Sequence, residues 1–280
     1  MIRRVAYLTA VAGLGLVLTG CALDFFGASE RRAAWRDQEE RACMKSRVVM
    51  TSAFIQPDRR IADRGACGIA QPLKVSATGG GTVTIGPTAT LNCPMTATVE
   101  AWMRDSVQPA ALAWFGMPVS EISQISDYAC RTRNNVRGED LSEHAFGNAI
   151  DIAGFRLADG RRIIVKSDWS GEVNARGFLR EIFAAACQRF KTVLGPGVAN
   201  HADHFHLDLA HHGRDGVSQY CRPPPDGAPP MRAPYGGDLI AQSSRWPRLI
   251  DWGRTGSIAA PADAERGSIP ELDAAYQGEE

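Results

Sequence analysis

Four of the six histidines fall in two short segments, His144-Ala-Phe-Gly-Asn-Ala-Ile-Asp151 and His201-Ala-Asp-His-Phe-His206. Imidazole nitrogen and carboxylate oxygen are both zinc ligands, and a catalytic zinc keeps three protein ligands and one open position. His144, Asp151 and His206 make such a set of two histidines and one aspartate. A zinc so held brings the pKa of water down to about 7 and polarises a carbonyl group, so the chemistry on offer is hydrolysis at a carbonyl. A base beside the zinc must then accept a proton from the water and deliver it to the leaving group.

These side chains need rigid elements to aim them. Side chains along a strand repeat every second residue, so a strand from His201 to Leu209 points His204 and His206 to one face. Phe205, Leu207 and Leu209 then point to the other face and anchor the strand in a core. Asp208 shares the histidines' face, as a further metal-site group or as an ion-pair partner. Asp203 falls on the opposite face if the strand already runs there, and reads as a structural group or an outer partner of the site. Asp151 lies between Ile150 and Ile152, which face away from it. Ala149–Leu157 and Arg161–Val165 read as a hairpin closed near Asp159-Gly160, a favoured turn. His144 falls in the loop before it. His211 and His212 follow the His201–Leu209 strand and read as loop residues.

The rest of the chain supplies a scaffold. Residues 22–48 are charge-rich and read as a tether leading into a first helix. Gly68 to Thr90, with Gly79-Gly-Gly81 in its middle, reads as a β-hairpin with a loose turn. Asn92 and Pro94 mark a helix start, and Met95, Val99, Trp102 and Met103 recur at helical spacing. Pro109 starts a second helical stretch or kinks the first, and Gly116 stops it. Val119–Arg131 reads as a strand ending near the site. Asn174 is a candidate helix cap. Phe178, Leu179, Ile182, Phe183, Ala186, Cys187 and Phe190 form an apolar stripe, with a stop at Gly195-Pro196. Trp169 reads as core or cleft wall. The expected fold class is α+β, an antiparallel sheet with packed helices.

Ser142-x-His144-x-x-Gly147-x-Ala149-x-Asp151 resembles the signature of the D-alanyl-D-alanine metallopeptidases. His201-x-x-His204-x-His206 is similar to the matching segment of the penicillin-insensitive murein endopeptidases. Together with Tyr128-Ala-Cys130-Arg131, Asp168-Trp169, Leu194-Gly195-Pro196 and Asp203–Leu209, these motifs resemble the bacterial extensin-like C-terminal domain family over roughly residues 43–222. The resemblance implies a D-alanyl-D-alanine metallopeptidase-like fold, one zinc per chain, and peptidoglycan peptides as substrate. In the first group a Glu three residues before the last histidine is the base. Here that position is Asp203, and His201 stands three residues before His204. The endopeptidase branch instead places the first histidine of His-x-His beside the metal water. That comparison assigns proton transfer to His204, with His201 as a helper. Arg131 resembles the arginine that pairs with substrate carboxylate, a bidentate task suited to guanidinium. Arg133 is the alternative for that role.

The N-terminus bears on location. Arg3 and Arg4 precede an apolar stretch from Val5 to Leu18, which is short for a membrane span. Leu18-Thr-Gly-Cys21 resembles a lipobox, so residues 1–20 read as a lipoprotein signal peptide and Cys21 as the lipidated residue. Ala22, not Asp, follows it, which favours the periplasmic face of the outer membrane under the sorting pattern of some bacteria. Six cysteines then remain, an even number that suits up to three disulfides in an oxidising compartment. Spacing does not choose among the 15 connectivities. There is no C-x-x-C pattern to suggest a cysteine zinc site. A net charge of zero argues against broad electrostatic capture of nucleic acid. The organisation is a signal peptide (1–20), a lipidated tether with a first helix (21–48), an extensin-like domain (49–222) and a Pro/Gly-rich tail (223–280) expected to be disordered.

Three functional classes fit these residues. The first is a zinc-dependent hydrolase that cleaves peptide bonds in peptidoglycan stem peptides or cross-links. The second is a non-catalytic cell-wall binding lipoprotein that keeps a peptidase-like cleft. The third is a structural lipoprotein whose zinc only holds the fold. An open fourth position and the additional His204 favour the first.

Overall fold

The computed structural model describes residues 32–214, 216–225 and 233–234. The leader, Cys21 and nearly all of the tail over 223–280 lie outside the described residues. Helix α1 (Ala34–Ser46) comes first, followed by β1 (Ile55–Pro57), β2 (Ile61–Ala62), β3 (Gly68–Ile69), β4 (Leu73–Thr78) and β5 (Val83–Leu91). Helices α2 (Cys93–Trp102) and α3 (Gln108–Phe115) lead to β6 (Val119–Ser126), β7 (Ala149–Leu157) and β8 (Arg162–Ile164). The short α4 (Val165–Asp168) and the long α5 (Val173–Arg189) precede β9 (Thr192–Leu194), β10 (Phe205–Asp208) and β11 (Tyr220–Arg222).

Among the described residues one large sheet runs β1-β4-β5-β6-β7-β10-β9-β11, with β8 paired to β7, and β2 and β3 pair separately. The architecture is mixed, mostly antiparallel sheet with helices packed against it, as the alternating apolar pattern predicts. Two pairs depart from that pattern: β5–β6 and β9–β11 are parallel. The first needs a crossover, because parallel neighbours cannot be joined by a tight turn. Helices α2 and α3 form that crossover. Asn92 caps α2, its side chain accepting from the Met95 N–H at 2.8 Å. Between the helices, Met103–Val107 is a π-helical turn that runs directly into α3, with Pro109 as the second residue of that helix.

Aromatic rings fill the space between sheet and helices. Trp102 packs on Phe155 and Phe190, and its indole N–H donates to the Ile182 carbonyl at 3.0 Å. Trp169 packs on Phe183 and Phe205, so it belongs to the core. Helix α5 approaches α3 at Gly177, where a Cβ would sit 2.2 Å from the Trp114 ring. Gly177→Ala is therefore expected to destabilise by about 1–3 kcal/mol through overpacking, read as a lower midpoint in urea. An unchanged midpoint would show that Trp114 moves aside freely.

Several element ends differ from the sequence expectation. The N-cap of α5 is Glu172, not Asn174: the Glu172 carboxylate accepts from the Asn174 and Ala175 N–H groups. Helix α5 ends at Arg189, well before Gly195-Pro196, because Thr192-Val-Leu194 is captured as a strand beside β10. Strand β6 ends at Ser126 rather than Arg131. Strand β10 begins at Phe205, so His201 and His204 lie in the loop before it.

Three disulfides pair the six remaining cysteines: Cys43–Cys93, Cys67–Cys130 and Cys187–Cys221. They join α1 to α2, the β2–β3 region to the loop after β6, and α5 to β11. Closing loops of this length in the unfolded chain contributes about 4 kcal/mol each by the chain-entropy account. No helix among the described residues is long and apolar enough to cross a membrane.

Candidate metal centre

Strand register brings the first two candidate ligands together. His206 and Asp151 are direct partners across the antiparallel β10–β7 pair. Opposed residues on one face hold their Cβ atoms ~4.5–5.5 Å apart. The flanking pairs, Phe205 with Ile152 and Leu207 with Ile150, are buried, and Phe205 packs on Phe183 of α5. The apolar pairs thus face the helices, and alternation turns Asp151 and His206 to the other side of the sheet.

His144 arrives from a short 3-10 turn, Glu143–Phe146, just before β7. Ser142 caps that turn, its hydroxyl accepting from the His144 N–H at 3.4 Å. Gly147 closes it with φ near 60°, and a Cβ there would meet the Ile69 side chain at 2.2 Å. The non-ligand positions of the Ser-x-His-x-x-Gly-x-Ala-x-Asp run therefore carry backbone geometry: a cap, a left-handed exit and a buried alanine at the strand start.

The three donor atoms form a close triangle. His144 Nε2 lies 3.3 Å from His206 Nδ1 and 3.2 Å from Asp151 Oδ2, and His206 Nδ1 lies 2.8 Å from Asp151 Oδ1. Tetrahedral zinc with bonds of ~2.0–2.1 Å spaces its donors ~3.3 Å apart. The far side of each ring fixes which nitrogen faces inward. His144 Nδ1 donates to the Asp127 carbonyl at 2.6 Å, which leaves Nε2 its lone pair. His206 Nε2 donates to Asp208 Oδ2 at 2.9 Å, which leaves Nδ1. This is the outer hydrogen bonding that orients metal-bound histidines. All three candidate ligands are buried, and no other such cluster of histidine, cysteine or carboxylate stands out among the described residues.

Charge within the triangle makes the same point. Burial alone would disfavour charge on His206, but its hydrogen bonds to Asp151 and Asp208 outweigh burial and raise its pKa to about 10. Burial likewise opposes charge on Asp151, and the hydrogen bonds from His144 and His206 overcome it and hold the carboxyl well below its usual range. Asp208 is also held low against burial, chiefly by His206. In the metal-free chain a proton on His206 is the positive charge between two buried carboxylates. A divalent cation fits that donor set by taking the proton's place, at the cost of releasing it.

The remaining sequence candidates divide. His204 reaches the centre from the loop, with Nε2 3.8 Å from Asp151 Oδ1. Its Nδ1 donates to Asp203 Oδ1 at 2.8 Å. Strand β10 has not yet begun at Asp203, so strand alternation does not turn it away, and it serves as the outer partner of the His204 ring. His201 lies beside His204 and His206, its ring tilted to the first and edge-on to the second, with Nδ1 donating to the Ala199 carbonyl at 2.8 Å. Burial pulls its pKa down and favours the neutral ring. Arg131 stands at the rim, Nη2 3.9 Å from Asp151 Oδ2. Arg133 does not join it: the chain turns there, and Arg133 pairs with exposed Asp140 at 3.4 Å. His211 stacks on Trp35, and His212 meets the Thr192 hydroxyl at 2.7 Å, so both lie outside the donor triangle.

The two outer acceptors at the centre differ in how far the sequence marks them. The Asp127 carbonyl is a backbone group and leaves no side-chain signature. Asp208 does leave one, its two-residue spacing from His206, and the structure makes it the acceptor for that ring.

The geometry can be set beside known proteins. No curated protein and no solved structure matches the chain. The model of the extensin-like protein C-terminus family matches residues 41–222, which include every residue of the candidate centre and both strands that carry Asp151 and His206. The chain belongs to the extensin-like protein C-terminus family.

Proposed function

We propose that this protein is a zinc-dependent hydrolase of peptide bonds in peptidoglycan stem peptides or cross-links, with a site related to that of the D-alanyl-D-alanine metallopeptidases. The observation that carries the reading is the donor triangle of His144 Nε2, Asp151 and His206 Nδ1 with a further imidazole, His204, beside it. His144, Asp151 and His206 would hold the zinc, which supplies Lewis acidity and makes water a nucleophile near neutral pH.

The chain's own groups do the rest. Because His204 Nδ1 donates to Asp203, Nε2 carries the lone pair and takes the proton that the attacking water releases. The water oxygen bonds to the carbonyl carbon and the C–N bond breaks. The amine leaves with the proton that His204 held. Asp203 orients the ring through these steps, and buried His201 lines the same side. Arg131 offers its guanidinium to a substrate carboxylate. Muropeptide digestion by the soluble, zinc-loaded domain, read by mass, tests the reading. Products shorter by whole amino acids or split at a cross-link support it. No turnover on any peptidoglycan fraction would leave a non-catalytic cell-wall binding role as the better account.

The proposal includes a place of work: the cell envelope, with lipid on Cys21 holding the protein at the periplasmic face of the outer membrane. The apolar leader and Leu18-Thr-Gly-Cys21 motivate it. Cys21→Ser is expected to release the protein or leave its leader uncleaved. Unchanged partitioning into the detergent phase would sink the lipid anchor.

A further inference from the structure

Helix α1 grips both ligand-bearing segments of the candidate centre. Arg36 forms a two-pronged ion pair with Glu143, the residue before His144, at 2.6 and 2.7 Å. Both side chains are nearly buried, at 11% and 10% exposure. Its guanidinium lies 3.7 Å from the centre of the Phe146 ring and 4.3 Å from that of Trp35. Glu143 also accepts from Asn148 Nδ2 at 2.6 Å, and Asn148 joins Asn92 at 2.9 Å. One turn of the chain, from Glu143 to Asn148, is thus tied to α1 on one side and to the start of α2 on the other.

The second grip falls on the exit from β10. Trp35 stacks face to face on His211, ring centres 3.6 Å apart, and Glu39 accepts from His211 Nε2 at 3.1 Å. His211 lies three residues beyond Asp208, the acceptor for His206. Trp35, Arg36 and Glu39 all precede residue 41, where the family match begins. The far end of the same helix is fixed by the Cys43–Cys93 disulfide.

We propose that the first half of α1 is a positioning element for the metal centre, acting on His144 through Arg36 and Glu143 and on the His206 strand through Trp35 and His211. It rests on the metal reading given above, because its purpose is to hold two ligands at fixed separation. A guanidinium is suited to this: its planar fork matches a carboxylate while its face covers an aromatic ring. The residue touches no donor atom, so its effect passes through the loop it restrains. Groups bonded directly to a ligand change metal affinity by about 10–100-fold, which bounds what a contact one residue further out can do.

The test compares Arg36→Ala, Glu143→Gln, the double variant and the wild type. Zinc affinity is read by competition with a chromophoric chelator. Amide exchange at Gly147 and Asn148, which donate to the His144 and Glu143 carbonyls, is read in the metal-free protein. Arg36→Ala is expected to weaken zinc binding by about 10-fold, the lower end of the range for direct outer partners, and to speed exchange at both amides. The double variant is expected to be little worse than either single one, since the two residues act as one unit. Ile182→Val, in the core on α5, serves as the control, with a lower melting temperature but unchanged zinc affinity. If Arg36→Ala behaves like this control, α1 is only a structural helix and the proposal is overturned. A wild type that binds no zinc, with exchange still faster in Arg36→Ala, would defeat the metal reading and leave the loop restraint standing. Unchanged exchange would defeat the restraint whatever the metal result.

Discussion

Replacing His204 with alanine is expected to leave zinc in place and to lower peptidoglycan-peptide turnover by about 100- to 10,000-fold, the usual contribution of a positioned general base. The geometry sets the direction of this result. His204 Nε2 lies 3.8 Å from Asp151 Oδ1, outside the tighter triangle of His144, Asp151 and His206. It is close enough to serve a water at the centre, and its other nitrogen is engaged by Asp203. Asp203→Asn is expected to give a smaller loss, because the ring stays but its orientation loosens. Arg131→Ala is expected to act differently, raising KM with little change in kcat if the guanidinium holds the substrate equally in ground and transition states. Zinc content and turnover must be measured on the same preparation. If His204→Ala loses its zinc, His204 is a fourth ligand and the site is a closed structural one. If it keeps both zinc and full activity, proton transfer belongs elsewhere.

Alanine at His144, Asp151 or His206 is expected to abolish stoichiometric zinc binding. Each removes one of three ligands and leaves the others without a complete site. Asp208→Asn is expected to fall between, with affinity down by 10–100-fold, because His206 keeps its ring but loses the charged acceptor that fixes Nδ1 inward. The metal-free protein supplies a separate reading of the same triangle. His206 has its pKa raised to about 10, so the stability from its charged form is complete below its unfolded pKa of ~6.5. That stability is lost as pH rises through about 10. Zinc replaces the proton, so the loaded protein is expected to lack this loss. Full zinc occupancy in both His144→Ala and His206→Ala would remove the assignment.

Much of this site is legible in the amino-acid sequence. Residue types and two short spacings bring out His144, Asp151, His204 and His206, because metal chemistry admits few ligand types. The two-residue strand repeat holds for His206 but not for His204, which precedes the strand. The apolar partners of those strands, Ile150, Ile152, Phe205 and Leu207, are legible for the same reason. So are the Asn92 cap and the core stripe of α5. An even set of cysteines points to disulfides, but pairing depends on which loops meet in space, and spacing is silent on that.

Other features depend on contacts between distant segments. Strand periodicity predicts one unbroken alternation, yet β6 and β7 slip register between Gln124 and Ser126 and again beside Ala153. Asp151 thereby faces the centre while Phe155, four residues on, packs against Trp102 and Phe178 in the core. A uniform strand would put both on one face. Such bulges cluster beside functional sites because they re-aim a side chain without breaking the sheet. The early end of α5 has a similar cause, since Thr192–Leu194 is drawn into the sheet by β10.

The candidate ligand types and the strand setting of Asp151 and His206 are thus readable from the chain alone, because they follow from local chemistry and short periods, and the family is readable as a resemblance of motifs. The inward nitrogen of each ring, the place of Arg131 rather than Arg133 at the rim, and the packing of α1 against both ligand-bearing segments emerge only from folding. Each depends on a group far away in the chain: Arg36 and Glu143 are 107 residues apart, and Asp151 and His206 are 55 apart. No local pattern encodes a partner at that distance; it exists only once the sheet has set its register and the core has fixed what lies beside it.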